Sequence, residues 1–304
     1  MASNKFSDVE QAILTTLLYS DMFDFPLTYD ELWEFLISKQ HIAKETFDST
    51  LDALSDKVAT RDGYYCLRGR EKNIEKRKKE LSFIQHKLRL AKRAVQYLSY
   101  IPSVQFVGIS GSLAMKNVTK DADIDLFVIV SSGKLFVTRF WLLCVLEWLG
   151  IRRRRADTFA SDKICVNLLI DEKNLVWPTQ RRDVYTAHEI AHVVPLFQRQ
   201  GMYRKFIESN RWIKLFLPNV SPRITALPVR TPHPYHSVSL LYAVFFSSPF
   251  EWLMMKMQSY TMKKHKTREI ITKQLLAFHP NDYRVKILSD LRIKCQEFGL
   301  LTKV

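Results

Sequence analysis

Two carboxylates two residues apart, Asp123 and Asp125, follow the pair Gly111-Ser112 after ten intervening residues. Residues at i and i+2 of a strand project from one face, so the two carboxylates stand side by side. Charges placed this way repel. A divalent cation such as Mg²⁺ resolves the repulsion, because it takes one or two carboxylates and fills its other positions with phosphate oxygens and water. Gly111 has no Cβ and lets a phosphate approach the backbone closely. Ser112 offers a hydroxyl and an amide where a helix is expected to begin, and free N–H groups there attract anions. The chemistry these residues suit is metal-assisted handling of a phosphorylated substrate.

Positioning them requires a strand, a turn, a second strand and a backing layer. Val104–Ser110 is an apolar run after Ile101-Pro102, and residues 123–130 form a second. Residues 135–151 read as a buried crossover helix and 164–170 as a third strand. This order predicts an α/β (α+β) core with a small mixed sheet backed by helices.

Gly-Ser, ten residues and Asp-x-Asp resemble the signature of the DNA polymerase β-like nucleotidyltransferases, particularly their minimal members. The resemblance spans residues 104–171. It implies that Ser112 contacts the triphosphate and that Asp123 and Asp125 bind Mg²⁺, with Mn²⁺ as an alternative. An acceptor would then attack the α-phosphorus of an NTP, ATP first among them, with pyrophosphate leaving. The acceptor is left open among nucleic acid, a protein hydroxyl and a small molecule. Many members carry a third carboxylate on the next strand. By alternation the polar face of that strand here holds Asn167, which donates an oxygen to a metal but accepts no proton as a base. Asp171, Glu172 and Asp121 stand as other bases. Lys116, Lys134 and Arg139 are candidates to complete the phosphate site, together with the basic run at residues 152–155. A reading from another class uses the same core as a non-catalytic nucleotide- or nucleic-acid-binding regulator.

Upstream, residues 1–70 read as three helices and a hairpin. Thr28 and Glu31 form a capping-box pattern, and Asp62-Gly63 marks the hairpin turn. The order resembles winged-helix domains, relatives of the helix-turn-helix readers of DNA. The third helix is poor in Lys and Arg, which favours protein contact or domain packing. Residues 71–100 repeat apolar positions at spacings of three and four, with Lys72, Lys76, Arg77, Lys78, Lys79, Lys87, Arg89, Lys92 and Arg93 opposite, and predict one basic connecting helix. The core is expected over 101–181 and a helical C-terminal domain over 182–304.

Of the 304 residues, 46 are Lys or Arg and 31 Asp or Glu, a net charge of +15 that favours polyanionic partners. Cys66, Cys144, Cys165 and Cys295 are scattered among apolar neighbours and read as structural thiols of a reducing, cytoplasmic setting. No secretory leader is read at the N-terminus. The apolar stretches 135–151 and 238–257 carry Arg139, Glu147, Pro249 and Glu251, so no membrane insertion is expected. His188-Glu189-Ile190-Ala191-His192 matches HExxH, the zinc-protease pattern, but lacks a convincing third ligand. His188 or Glu189 is read instead as a residue able to face the acceptor side of the nucleotide site. Ser132-Gly133-Lys134 fails as a phosphate-binding loop, and residues 278–283 read as a turn.

Overall fold

Local rules set the first elements. A computed structural model describes residues 6–154, 157, 159–221, 245–263, 270–277 and 283–301. Helix α1 (Asp8–Asp21) starts at a Ser7/Glu10 capping box, and α2 (Tyr29–Glu34) starts at the Thr28/Glu31 box expected from sequence. Between them lies the short strand β1 (Leu27–Thr28), and α3 (Lys44–Ala53) follows. Strands β2 (Val58–Arg61) and β3 (Tyr64–Leu67) form the predicted hairpin. Its turn residues Asp62 and Gly63 both have positive φ, as the tight twist of a two-residue hairpin turn demands. The sheet order is β1-β3-β2.

Helix α4 (Lys72–Leu98) is the long connector. Two of its basic residues are not on a solvated face. Arg77 is buried between the rings of Phe25 and Tyr64, and its Nη2 donates to both oxygens of Glu31, at 2.9 and 2.7 Å. Lys87, 1% exposed, donates from Nζ to the carbonyls of Lys120 (3.0 Å) and Ala122 (2.6 Å) and to Asp162 Oδ1 (3.0 Å).

The second sheet is mixed. Its elements are β4 (Val104–Ser110), the single turn α5 (Gly111–Ala114), β5 (Ile124–Val130), α6 (Leu135–Trp148) and β6 (Ile164–Asp171). There follow α7 (Val184–Ala191), β7 (Val194–Gln198), α8 (Met202–Ser209), α9 (Ser248–Lys263), β8 (Ile270–Ile271), β9 (Leu275–Ala277) and α10 (Tyr283–Glu297). The strand order is β7-β4-β5-β6-β9-β8, with β5 and β6 parallel and the other pairs antiparallel. Alternation along β5 splits its residues between two layers. Ile124, Leu126, Val128 and Val130 pack with α4 and α6, while Phe127 and Ile129 pack with α7 and α8. Asp125 therefore faces α7.

The expected helical domain over 182–304 is not a separate unit. Strand β7 joins one side of the core sheet and β9 with β8 the other, while α10 packs back on α1 through Leu291 and Cys295, joined by Leu300 just after it. Short apolar segments such as β7 complete the sheet because β4 leaves its backbone donors and acceptors unpaired on that side. Arg155, the prolines at 222, 228, 232 and 234, residues 238–244 and the turn at 278–282 lie outside the described residues. No helix among the described residues is long and apolar enough to cross a membrane.

Candidate functional site

The polar cluster forms where three strands meet in register. Ser110 of β4 pairs with Asp125 of β5, and Asp125 pairs with Cys165 of β6, so the three side chains form one row on the α7 face. Asp123, two residues before Asp125, completes the group. One ligand atom each of Asp123, Asp125 and Cys165 lies within 4.8 Å of the others.

Gly111 belongs to this group through its backbone. Its φ of +64° is left-handed, and a Cβ there would lie 2.6 Å from Asp125 Oδ2. The glycine is required both for the turn and for the carboxylate seated against it. Gly111→Ala is expected to lower stability by about 1–2 kcal/mol, from left-handed strain and displacement of Asp125. Urea denaturation would read this as a lower midpoint, and an unchanged midpoint would mean that Asp125 yields freely. Ser112 follows, exposed, on the one-turn α5.

Charge is poorly compensated here. Burial, then the charges of Asp123 and Glu189, push the Asp125 carboxyl up to about 8, and Arg153 opposes the shift. Glu189 of α7 is itself pushed up to about 7 by burial. The Arg153 guanidinium is paired with the Asp123 carboxylate. Burial, with Asp125 and Asp123, pushes the Cys165 thiol up to about 12. Lys87 fixes the approach to Asp123 by gripping the backbone at residues 120 and 122.

Several residues expected at the site have other partners. Lys116 pairs with Glu31 of the N-terminal helices at 3.0 Å. Against the opposing effect of burial, Arg77 and Lys116 together hold Glu31 down to about 2. Lys134 donates to the Phe246 carbonyl at 2.5 Å, beyond the far end of β5, roughly 15–20 Å along the strand from Asp125. Arg139 donates to Gln258 Oε1 at 2.8 Å and ties α6 to α9. Asn167 is buried at a β-bulge, where the register moves from Leu126–Val166 to Phe127–Leu168. The residue in register with Asp125 is Cys165, two residues before Asn167 on the same strand. Asp171 and Glu172 cap the opposite end of the sheet by accepting from Gly133 N (2.7 Å) and Ser132 N (3.0 Å). Asp121, another candidate base, is exposed in the turn ahead of Asp123.

The HExxH helix divides its residues between two surroundings. His188 stacks on Tyr19 with 4.4 Å between ring centres, and His192 stacks on Phe35 at 3.9 Å. Burial pushes His188 well below its ordinary value and His192 down to about 4, so both are neutral packing residues between α7 and the N-terminal helices. Among the described residues neither joins a cluster of three ligands. Glu189, between them, acts on Asp125 instead. Sequence reasoning noted Glu189 but gave no weight to Cys165, Arg153 singly, or Ser110. Only the strand register reveals the row.

No family model matches the chain, and neither the curated proteins nor the solved structures contain a match.

Proposed function

We propose that the chain is a metal-dependent nucleotidyltransferase that moves a nucleoside monophosphate from an NTP, ATP first among them, to an acceptor hydroxyl. The observation that carries this reading is the Gly111 backbone seated against Asp125, with Asp123 beside it and the exposed Ser112 next in the chain. The donors suit a cation. Two carboxylates share a site with one guanidinium, and burial, then the charges of Asp123 and Glu189, push the Asp125 carboxyl up to about 8. Asp123 and Asp125 would hold Mg²⁺ or Mn²⁺, which supplies charge stabilisation at the phosphates. Ser112 binds phosphate oxygens, and Gly111 lets the Asp125 carboxylate sit against the turn beside them. Glu189, poised near 7, takes the acceptor's proton, the role that no carboxylate on β6 fills at this end. The acceptor oxygen bonds to the α-phosphorus, and the bond to the bridging oxygen of pyrophosphate breaks.

Titrating the four NTPs with Mg²⁺ into the protein, followed by an assay of pyrophosphate release, tests the reading. Asp123→Ala and Asp125→Ala are each expected to lower release at least about 100-fold. Nucleotide binding that depends on the Asp pair but releases no pyrophosphate with nucleic acid, protein or small-molecule acceptors would favour a non-catalytic regulator. Two observations favour that second reading: Cys165 sits in register with Asp125, and Arg153 pairs with Asp123. The net charge of +15 suits nucleic acid as acceptor or as regulated partner.

A further inference from the structure

The row Ser110–Asp125–Cys165 carries an inference about which cation the site prefers, and it rests on the cation-dependent reading above. Mg²⁺ is a hard ion that selects oxygen donors in an octahedron. A site built only for Mg²⁺ has no use for sulfur. Here a cysteine Sγ lies with two carboxylates inside 4.8 Å, a spacing that suits three donors around one ion. Thiolates favour zinc and other soft or borderline-soft ions, whereas carboxylates alone do not discriminate this way.

A second feature marks the same place. The Ser110 hydroxyl is buried, the residue being 8% exposed, and its Oγ has no hydrogen-bond partner. A buried hydroxyl without a partner is costly to leave unsatisfied. Its neighbour across the strand pair is Asp125, and both face the α7 side of the sheet. It is therefore placed to donate to a carboxylate or thiolate once that group holds an ion, as groups behind metal ligands commonly do. Cys66, Cys144 and Cys295 lack such a setting, since none of them joins a ligand cluster among the described residues.

We infer that Asp123, Asp125 and Cys165 form a mixed carboxylate–thiolate site that binds Zn²⁺ in preference to Mg²⁺, with Ser110 supporting the ligands from behind. On binding, the Cys165 Sγ–H bond and the O–H bond of the protonated Asp125 carboxyl both break, the two protons pass to solvent, and the thiolate and carboxylate lone pairs bond to the ion. Arg153 yields its place on Asp123 to the ion. The remaining coordination position is the one a substrate phosphate oxygen would take.

Calorimetric titration of the full chain with Zn²⁺ and with Mg²⁺, and optical titration with Co²⁺, test this. The parent is expected to bind one Zn²⁺ at least about 100-fold more tightly than Mg²⁺. Its Co²⁺ form should show thiolate-to-metal charge-transfer absorption. Cys165→Ser and Cys165→Ala should each remove that absorption and weaken Zn²⁺ at least about tenfold, with Mg²⁺ affinity changed by less than about twofold. Ser110→Ala should weaken Zn²⁺ severalfold and leave the absorption in place. Zn²⁺ no tighter than Mg²⁺ in the parent, or a Zn²⁺ affinity and Co²⁺ spectrum indifferent to Cys165, would overturn the inference. Failure here with Mg²⁺–NTP binding intact leaves the nucleotidyltransferase reading standing. Thiolate-bound Zn²⁺ without nucleotide binding would do the opposite.

Discussion

At pH 8 and without added metal, Asp125→Asn is expected to melt about 5 °C or more above the parent, and with Mg²⁺ and NTP supplied it is expected to lose pyrophosphate release. The Asp125 carboxyl is pushed from an ordinary 3.8 up to about 8, first by burial and then by Asp123 and Glu189. Between pH 4 and 8 the folded protein holds a proton that the unfolded chain has released. Stability therefore falls as pH rises through this window, by the linkage between proton binding and folding. Below pH 4 both states are protonated and the group contributes no slope. Asparagine is neutral throughout and nearly the same shape, so the substitution removes the slope. The gain in melting temperature should be small at pH 5 and grow towards pH 8, measured by scanning calorimetry in a chelating buffer. A gain of equal size at every pH would mean that packing, not charge, is responsible. Site residues commonly carry such a cost to stability for the sake of binding.

Lys87→Met is expected to destabilise the protein by about 2–4 kcal/mol and to weaken cation binding as well. The Lys87 side chain is 1% exposed, and its ammonium serves two carbonyls and one carboxylate. Methionine fills the volume but leaves the carbonyls of Lys120 and Ala122 without a donor. Asp162 is 41% exposed and water re-solvates it, so the loss lies mainly in the two carbonyls. The freed turn leads directly to Asp123, which couples stability to cation affinity. Urea denaturation and cation titration of the same sample check both effects. A loss under about 1 kcal/mol with unchanged cation affinity would show that the turn holds itself.

Features that depend on neighbours in sequence were legible before the structure. The Thr28/Glu31 box, the Asp62-Gly63 turn, helix α4 and strands β4, β5 and β6 all lie within a residue or a few of where local periodicity puts them. Gly111, Ser112, Asp123 and Asp125 were legible for the same reason, since one strand–turn–strand unit carries them. Features that depend on distant partners were not. Lys116 lies five residues after Gly111, yet its partner is Glu31, 85 residues away. Residues of β7 include Pro195 and make too short a run to separate strand from helix, and the partner strand β4 lies far upstream. Alternation puts Cys165, two residues before Asn167, on the same face, but a thiol among apolar neighbours reads as packing, and only the strand register pairs it with Asp125. Glu189 was obscured by the two histidines that frame it as a zinc-protease motif.

The return of α10 onto α1 sets an order for synthesis. Lys294 contacts Asp21 across 273 residues of chain, and Leu291, Cys295 and Leu300 share the apolar core of the first three helices. At roughly 5–20 residues per second the ribosome needs on the order of 14–55 s to make the intervening chain. During that interval the first helices have left the exit tunnel with the apolar seat for α10 uncovered. Helices α1 to α3 thus wait for the synthesis of a segment far along the chain before their apolar seat is covered.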